Sequence, residues 1–157
     1  MRAATVVASL ALLAACSAAL EPASPPLEAE ARHFVAEAVR LAQAGDFVGL
    51  CAMGGGNCER ILETAGRDNV PLDAPTIVGV HTVPNQHHAD GSWSAGGQLV
   101  ELCGTDRHGD KYETQMIVFR DKGDRLIAIE PIYWSGIGII TSGPGAVVPG
   151  PPRPFAC

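Results

Sequence analysis

The sequence predicts an α+β domain in which N-terminal helices pack on a four-stranded antiparallel meander sheet. Three observations carry that expectation. Apolar residues recur at helical spacing through the first third of the chain, beginning at Leu27. Beyond Pro71 and Pro75 the pattern changes to short runs rich in β-branched and aromatic residues. The later runs are joined by short connections containing Gly109 and Gly123, which suit hairpin turns. Helices followed by strands, rather than alternating with them, is the order of an α+β layer fold.

The first helix is expected over residues 27–44. Leu27, Ala31, Phe34, Ala38 and Leu41, joined by Val35 and Ala42, form its apolar face, with Glu30, Glu37 and Arg40 elsewhere on its surface and Gly45 ending it. Asp46 has the chemistry of an N-cap for a short second helix carrying Phe47, Val48, Leu50 and Cys51. Gly54-Gly55-Gly56 breaks that helix. Asn57 is placed to cap a third, whose inward residues are Ile61, Leu62 and Ala65 and which stops at Gly66. Strands are expected at 76–83, 98–104, 111–120 and 125–134, with 84–96 as a longer link, functional or mobile.

Composition limits the function classes. The 157 residues carry 11 Lys plus Arg against 17 Asp plus Glu, a formal charge of -6, and the only lysines, Lys111 and Lys122, form no patch. A nucleic-acid partner is therefore not expected, because a phosphate backbone calls for clustered cations. Charged residues are 18% and hydrophobic residues 46%, a globular balance rather than a disordered one.

Residues 1–15 read as an export signal. Met1-Arg2 is a short basic start, and the following small and apolar run is too short for a membrane-spanning helix, which needs ~20 apolar residues. The run ends Leu13-Ala14-Ala15-Cys16, which resembles the lipobox of bacterial lipoprotein precursors. That resemblance implies cleavage before Cys16, lipidation of its thiol and a membrane anchor on the extracytoplasmic side. The alternative is an ordinary secretory signal cut near Ser17-Ala18-Ala19. Residues 16–26, with Ser, Ala and three prolines, read as a tether; residues 27–140 as the domain; and residues 141–157 as a Pro/Gly-rich tail.

Helix, short helix pair and strand meander closing on Ile132-Tyr133-Trp134 together resemble small NTF2-like domains, the half-cone fold of many secreted bacterial lipoproteins of unassigned function. The resemblance covers 27–134. It implies a shape and leaves open whether the domain is a non-catalytic binding or accessory module or an enzyme. The three-glycine break and its flanking cysteines depart from that family.

With Cys16 removed to the lipid, Cys51, Cys58, Cys103 and Cys157 form an even set for an oxidising compartment. Cys51 and Cys58 flank the glycine turn and are expected to bridge it, which leaves Cys103 with Cys157. No cofactor motif occurs: there is no phosphate-binding loop, dinucleotide fingerprint, H-E-x-x-H or G-x-S-x-G. His87-His88, with Asp90 and Trp93, is the one concentration of metal-ligand types. Adjacent side chains in extended chain point apart, so no metal is assigned and a solvated loop is expected. On the enzymatic reading, a small-molecule binder or lyase/isomerase type, His81 enters the cone as general base with Asp106 and Tyr112 beside it.

The last two runs are apolar on both faces: Met116 and Val118 alternate with Ile117 and Phe119, and Ile127 and Ile129 with Leu126, Ala128, Ile132 and Trp134. A sheet buried on one side alternates with polar residues, so the second face needs a cover. The candidates are the segment around 137–140 with the tail, a protein partner or second copy, or a ligand in an apolar cavity.

Overall fold

The computed structural model describes residues 21–141 and 147–150. Three helices, α1 (Glu28–Gln43), α2 (Phe47–Ala52) and α3 (Cys58–Ala65), precede a 3-10 turn at Arg67–Asn69. The strands are β1 (Thr76–Val83), β2 (Gln86–His87), β3 (Trp93–Ser94), β4 (Gly97–Thr105), β5 (Lys111–Arg120), β6 (Leu126–Ala128), β7 (Gly138–Thr141) and β8 (Val147–Gly150). The principal sheet has four strands in the order β1-β4-β5-β6, every neighbouring pair antiparallel. It is the expected α+β meander, with β2 and β3 forming a small hairpin in the link between its first two strands.

The helices form for the reasons their sequence gives. Ala31, Phe34, Val35, Ala38, Leu41 and Ala42 of α1 are all buried. At its start the Glu30 carboxylate accepts from the Leu27 amide at 2.7 Å and from Arg120 of β5 at 2.6 Å, tying the helix to the sheet. The Leu27 amide and then the Arg120 guanidinium hold the Glu30 carboxyl below its ordinary value. Asp46 caps α2 by accepting from the Gly49 amide at 2.8 Å. Asn57 occupies the N-cap position of α3 but makes no side-chain cap bond, contrary to expectation. The Cys51–Cys58 disulfide, with α-carbons 5.4 Å apart, instead closes the elbow between α2 and α3.

Pairing in register assigns each strand residue to a face. Val80, Val100 and Met116 lie together beneath the helices, as do Gln98 and Val118 with Ala128. Leu99 and Ile117, Glu101 and Gln115, and Cys103 and Glu113 face the other way. Ile117 and Gln115 are nevertheless buried, so that face is covered at its centre. At the edge of β5 not paired with β4, the Gln115 backbone amide donates to the Ile137 carbonyl at 2.9 Å and the Gly136 amide to Thr114 Oγ1 at 3.0 Å, bringing the segment after Trp134 back beside that strand. The expected cover by residues 143–157 lies largely outside the described residues.

Two expectations are corrected. The last strand is not 125–134: β6 ends at Ala128, and Ile129 makes one further bond to Ile117 at 3.3 Å. Pro131 has no amide to give a ladder. The chain leaves the sheet there and buries Ile132, Tyr133 and Trp134 in the core, where Trp134 Nε1 donates to the Gly66 carbonyl at 3.1 Å. The second correction concerns the tether, whose residues 22–26 are docked on the domain. Asn85 Nδ2 donates to the carbonyls of Pro22 and Ala23 at 3.1 and 3.3 Å, and Gln98 Nε2 to that of Pro26 at 2.8 Å.

Candidate functional site

His81, Asp106 and Tyr112 are not brought together. His81 pairs with Leu99 and lies on the face away from the helices, its side chain 61% exposed and Nε2 3.3 Å from Glu101 Oε2. Glu101 Oε1 accepts in turn from Gln115 Nε2 at 3.2 Å. Tyr112 pairs with Gly104 and is buried on the helix side. The two levels lie roughly 17 Å apart along β4 at ~3.4 Å per residue, on opposite faces. Asp106 shapes the β4–β5 turn, its Oδ1 accepting from the amides of His108 and Asp110 at 2.8 and 3.0 Å. All three residues have structural partners or burial in place of a shared centre.

The 84–96 link is built, not loose. His87 stands opposite Trp93 with ring centroids 4.7 Å apart, and His88 Nε2 meets Ser94 Oγ at 2.7 Å. Asp90 holds the turn by accepting from the Ser92 hydroxyl at 2.7 Å and amide at 2.9 Å, which lowers its carboxyl below the usual range. Gly96 donates to Asn85 Oδ1 at 2.7 Å, and a Cβ there would lie 2.2 Å from the Val83 carbonyl oxygen, so only glycine fits. Among the described residues no three His, Cys, Asp or Glu side chains gather as metal ligands.

Glu130 is the residue that sequence reasoning passed over. It is 1% exposed, and neither carboxyl oxygen has a well-aligned hydrogen-bond partner. Burial pushes its carboxyl up to about 7, opposed in smaller measure by the Ile132 amide and the Arg60 guanidinium. The hydroxyls of Tyr112 and Tyr133 are also buried without partners, and their rings lie 6.3 Å apart. Burial raises both phenols, that of Tyr133 to about 12. A signal was present: Glu130 is the only charged residue between Arg125 and Arg153, set among isoleucines.

A concavity of about 870 Å³ is a groove at the end of the domain where the chain enters it. Its wall is apolar at Pro22, Ala23, Trp93 and Ala95. Its charged rim includes Arg120, already held by Glu30 and Asp124, and Asp121, held by the Gly123 and Arg125 amides and the Arg125 side chain. Asp124 lies on the rim beside Arg120, while Glu21 and Lys122, the remaining rim charges, make no ion pair among the described residues. The groove therefore offers one cation, one anion and an indole over an apolar floor.

No protein-family model, curated protein or solved structure matches the chain. Cys16 and Cys157 lie outside the described residues, and with them the expected lipidation and the expected Cys103–Cys157 pairing. Cys103 itself is disulfide-bonded. Among the described residues no helix is long and apolar enough to cross a membrane.

Proposed function

We propose that this chain is a lipid-anchored cell-envelope protein, held through Cys16, whose α+β domain is an NTF2-like half-cone serving as a non-catalytic binding or accessory module. The observation that carries the reading is the Cys51–Cys58 disulfide behind an export signal that ends in Leu13-Ala14-Ala15-Cys16. Structural bridges of this kind persist in oxidising compartments and are rare in the cytosol, where thiols are kept reduced. Separation of His81 from Tyr112 across the sheet supports a binding role over catalysis by that set. The groove between residues 21–23 and the β2–β3 hairpin is the binding surface of this reading.

Metabolic labelling with a fatty-acid probe tests the anchor. Wild-type protein takes up the label and sediments with membranes, and Cys16→Ala loses both properties. Equal labelling of the variant, or recovery of the wild type from cytosol with its thiols reduced, overturns the reading.

A second reading, a small-molecule-binding or lyase/isomerase-type enzyme, has Glu130 in its favour. General acid–base work near neutral pH calls for a carboxyl raised as this one is. The group that then needs testing is Glu130 in place of His81.

A further inference from the structure

The N-terminal segment is pinned, which fixes what part of the domain can meet a membrane. Asn85 and Gln98 hold the backbone of Pro22, Ala23 and Pro26. Only five residue steps separate Cys16 from Glu21, and at about 3.5 Å per residue they span at most about 18 Å. A lipid on Cys16 sits with its acyl chains in the hydrocarbon and its glycerol at the interface. The groove walled by Pro22 and Ala23 is thus kept within about 18 Å of the interface, close enough to meet the headgroup layer.

The chemistry of the groove suits that neighbour. Headgroups of the ethanolamine and choline kind carry a phosphate and an ammonium on one short linker. Lys122 and Glu21 are the two rim charges without an ion pair among the described residues, and they are opposite in sign to the phosphate and the ammonium respectively. Trp93, half-buried with its ring tilted against that of His87, is the side chain that favours the boundary between acyl chains and water. The net charge of -6 disfavours attraction to a strongly anionic surface at large and favours a local, zwitterionic contact.

We propose that this groove seats on zwitterionic phospholipid headgroups of the membrane that carries the anchor, with Trp93 at the acyl boundary and Lys122 on lipid phosphate. The inference rests on the lipid-anchor reading above and adds an orientation and a contact to it.

The test uses the full mature protein, purified from membranes and reconstituted into phosphatidylethanolamine–phosphatidylcholine vesicles with plain or brominated acyl chains. Bromine quenches only indoles within contact range, and the chain has 2 tryptophans, of which Trp134 is buried in the core. Brominated vesicles should remove the Trp93 share of the wild-type emission and leave Trp93→Phe as bright as in plain vesicles. Lys122→Glu, a surface change, should weaken the quenching. Wild-type protein that floats with both vesicle types but is equally bright in each overturns the seat and leaves the anchor intact. Protein that does not float with either overturns the anchor, and the seat with it.

Discussion

Gln98 Nε2 donates to the carbonyl oxygen of Pro26 at 2.8 Å, a bond between residues 72 apart in sequence that fixes where the chain enters the domain. Gln98 is buried on β4 and also exchanges hydrogen bonds with Thr82 of β1, so its amide is oriented before it meets Pro26. Pro26 is itself fully buried. A carbonyl shut away from water needs its donor. The entry point of the chain is consequently part of the fold, and any anchor upstream pulls on the sheet through this contact and those of Asn85.

Gln98→Leu removes the donor while keeping the volume. Loss of a buried partner costs about 1–3 kcal/mol, so the denaturation midpoint should fall accordingly. Asn85→Ala, which frees Pro22, Ala23 and the Gly96 amide together, should lower the backbone order parameters of Ala23 and Ser24. Unchanged order at those residues in both variants would show that the segment is held by other means.

Glu130 makes stability depend on pH in a direction opposite to an ion-paired carboxylate. Its folded value is about 7 against an ordinary 4.5, so between the two the unfolded chain is ionised while the folded one keeps its proton. Stability should fall as pH rises through that window and level off above it, by about 3 kcal/mol at most. Below the window the effect is absent. Glu130→Gln should flatten the profile and be more stable than wild type at pH 8. Equilibrium denaturation at several pH values reads this directly, and parallel profiles for the two proteins refute it.

The bridge between Cys51 and Cys58 closes a short loop, for which the chain-entropy estimate is about 2–3 kcal/mol. Replacing both cysteines with alanine should lower stability by that amount, read from the denaturation midpoint under oxidising conditions so that the bond at Cys103 is kept. A double variant as stable as oxidised wild type would mean that the elbow holds without its bridge.

Local signals in the sequence told more about the fold than about the site. The spacing of Phe34, Ala38 and Leu41 and the capping chemistry of Asp46 are properties of a few neighbouring residues, and α1 and α2 follow them. The short turns around Gly109 and Gly123 likewise place β4, β5 and β6 in a meander. The end of β6 is not legible locally because Ile132, Tyr133 and Trp134 have strand composition, while the decision lies with Pro131 and with the core that buries those three side chains. Docking of residues 22–26 depends on Asn85 and Gln98, more than 60 positions away, which no local pattern reports. His81 illustrates the same limit: its strand is correct, but the face it occupies is set by register with Leu99, and that face is the outer one.

Gly54 shows how the glycine break serves the sheet. The amide of Gly55 donates to the Ala128 carbonyl at 3.1 Å and that of Ala128 to the Met53 carbonyl at 2.9 Å, so the turn after α2 is stitched to the end of β6. Pro131 packs against the same place, and a Cβ on Gly54 would come within 2.6 Å of its ring. Gly54→Ala must therefore displace Pro131, and with it the neighbouring Glu130 from its buried position. Overpacking of this kind costs about 1–3 kcal/mol. Gly56, where a Cβ meets nothing within 4 Å, is the control. Its alanine variant should stay within about 0.5 kcal/mol of wild type. Thermal unfolding of the two variants side by side checks the pair. Equal stability would place Pro131 elsewhere than against the break, and a pH profile flattened in Gly54→Ala alone would show Glu130 released to water.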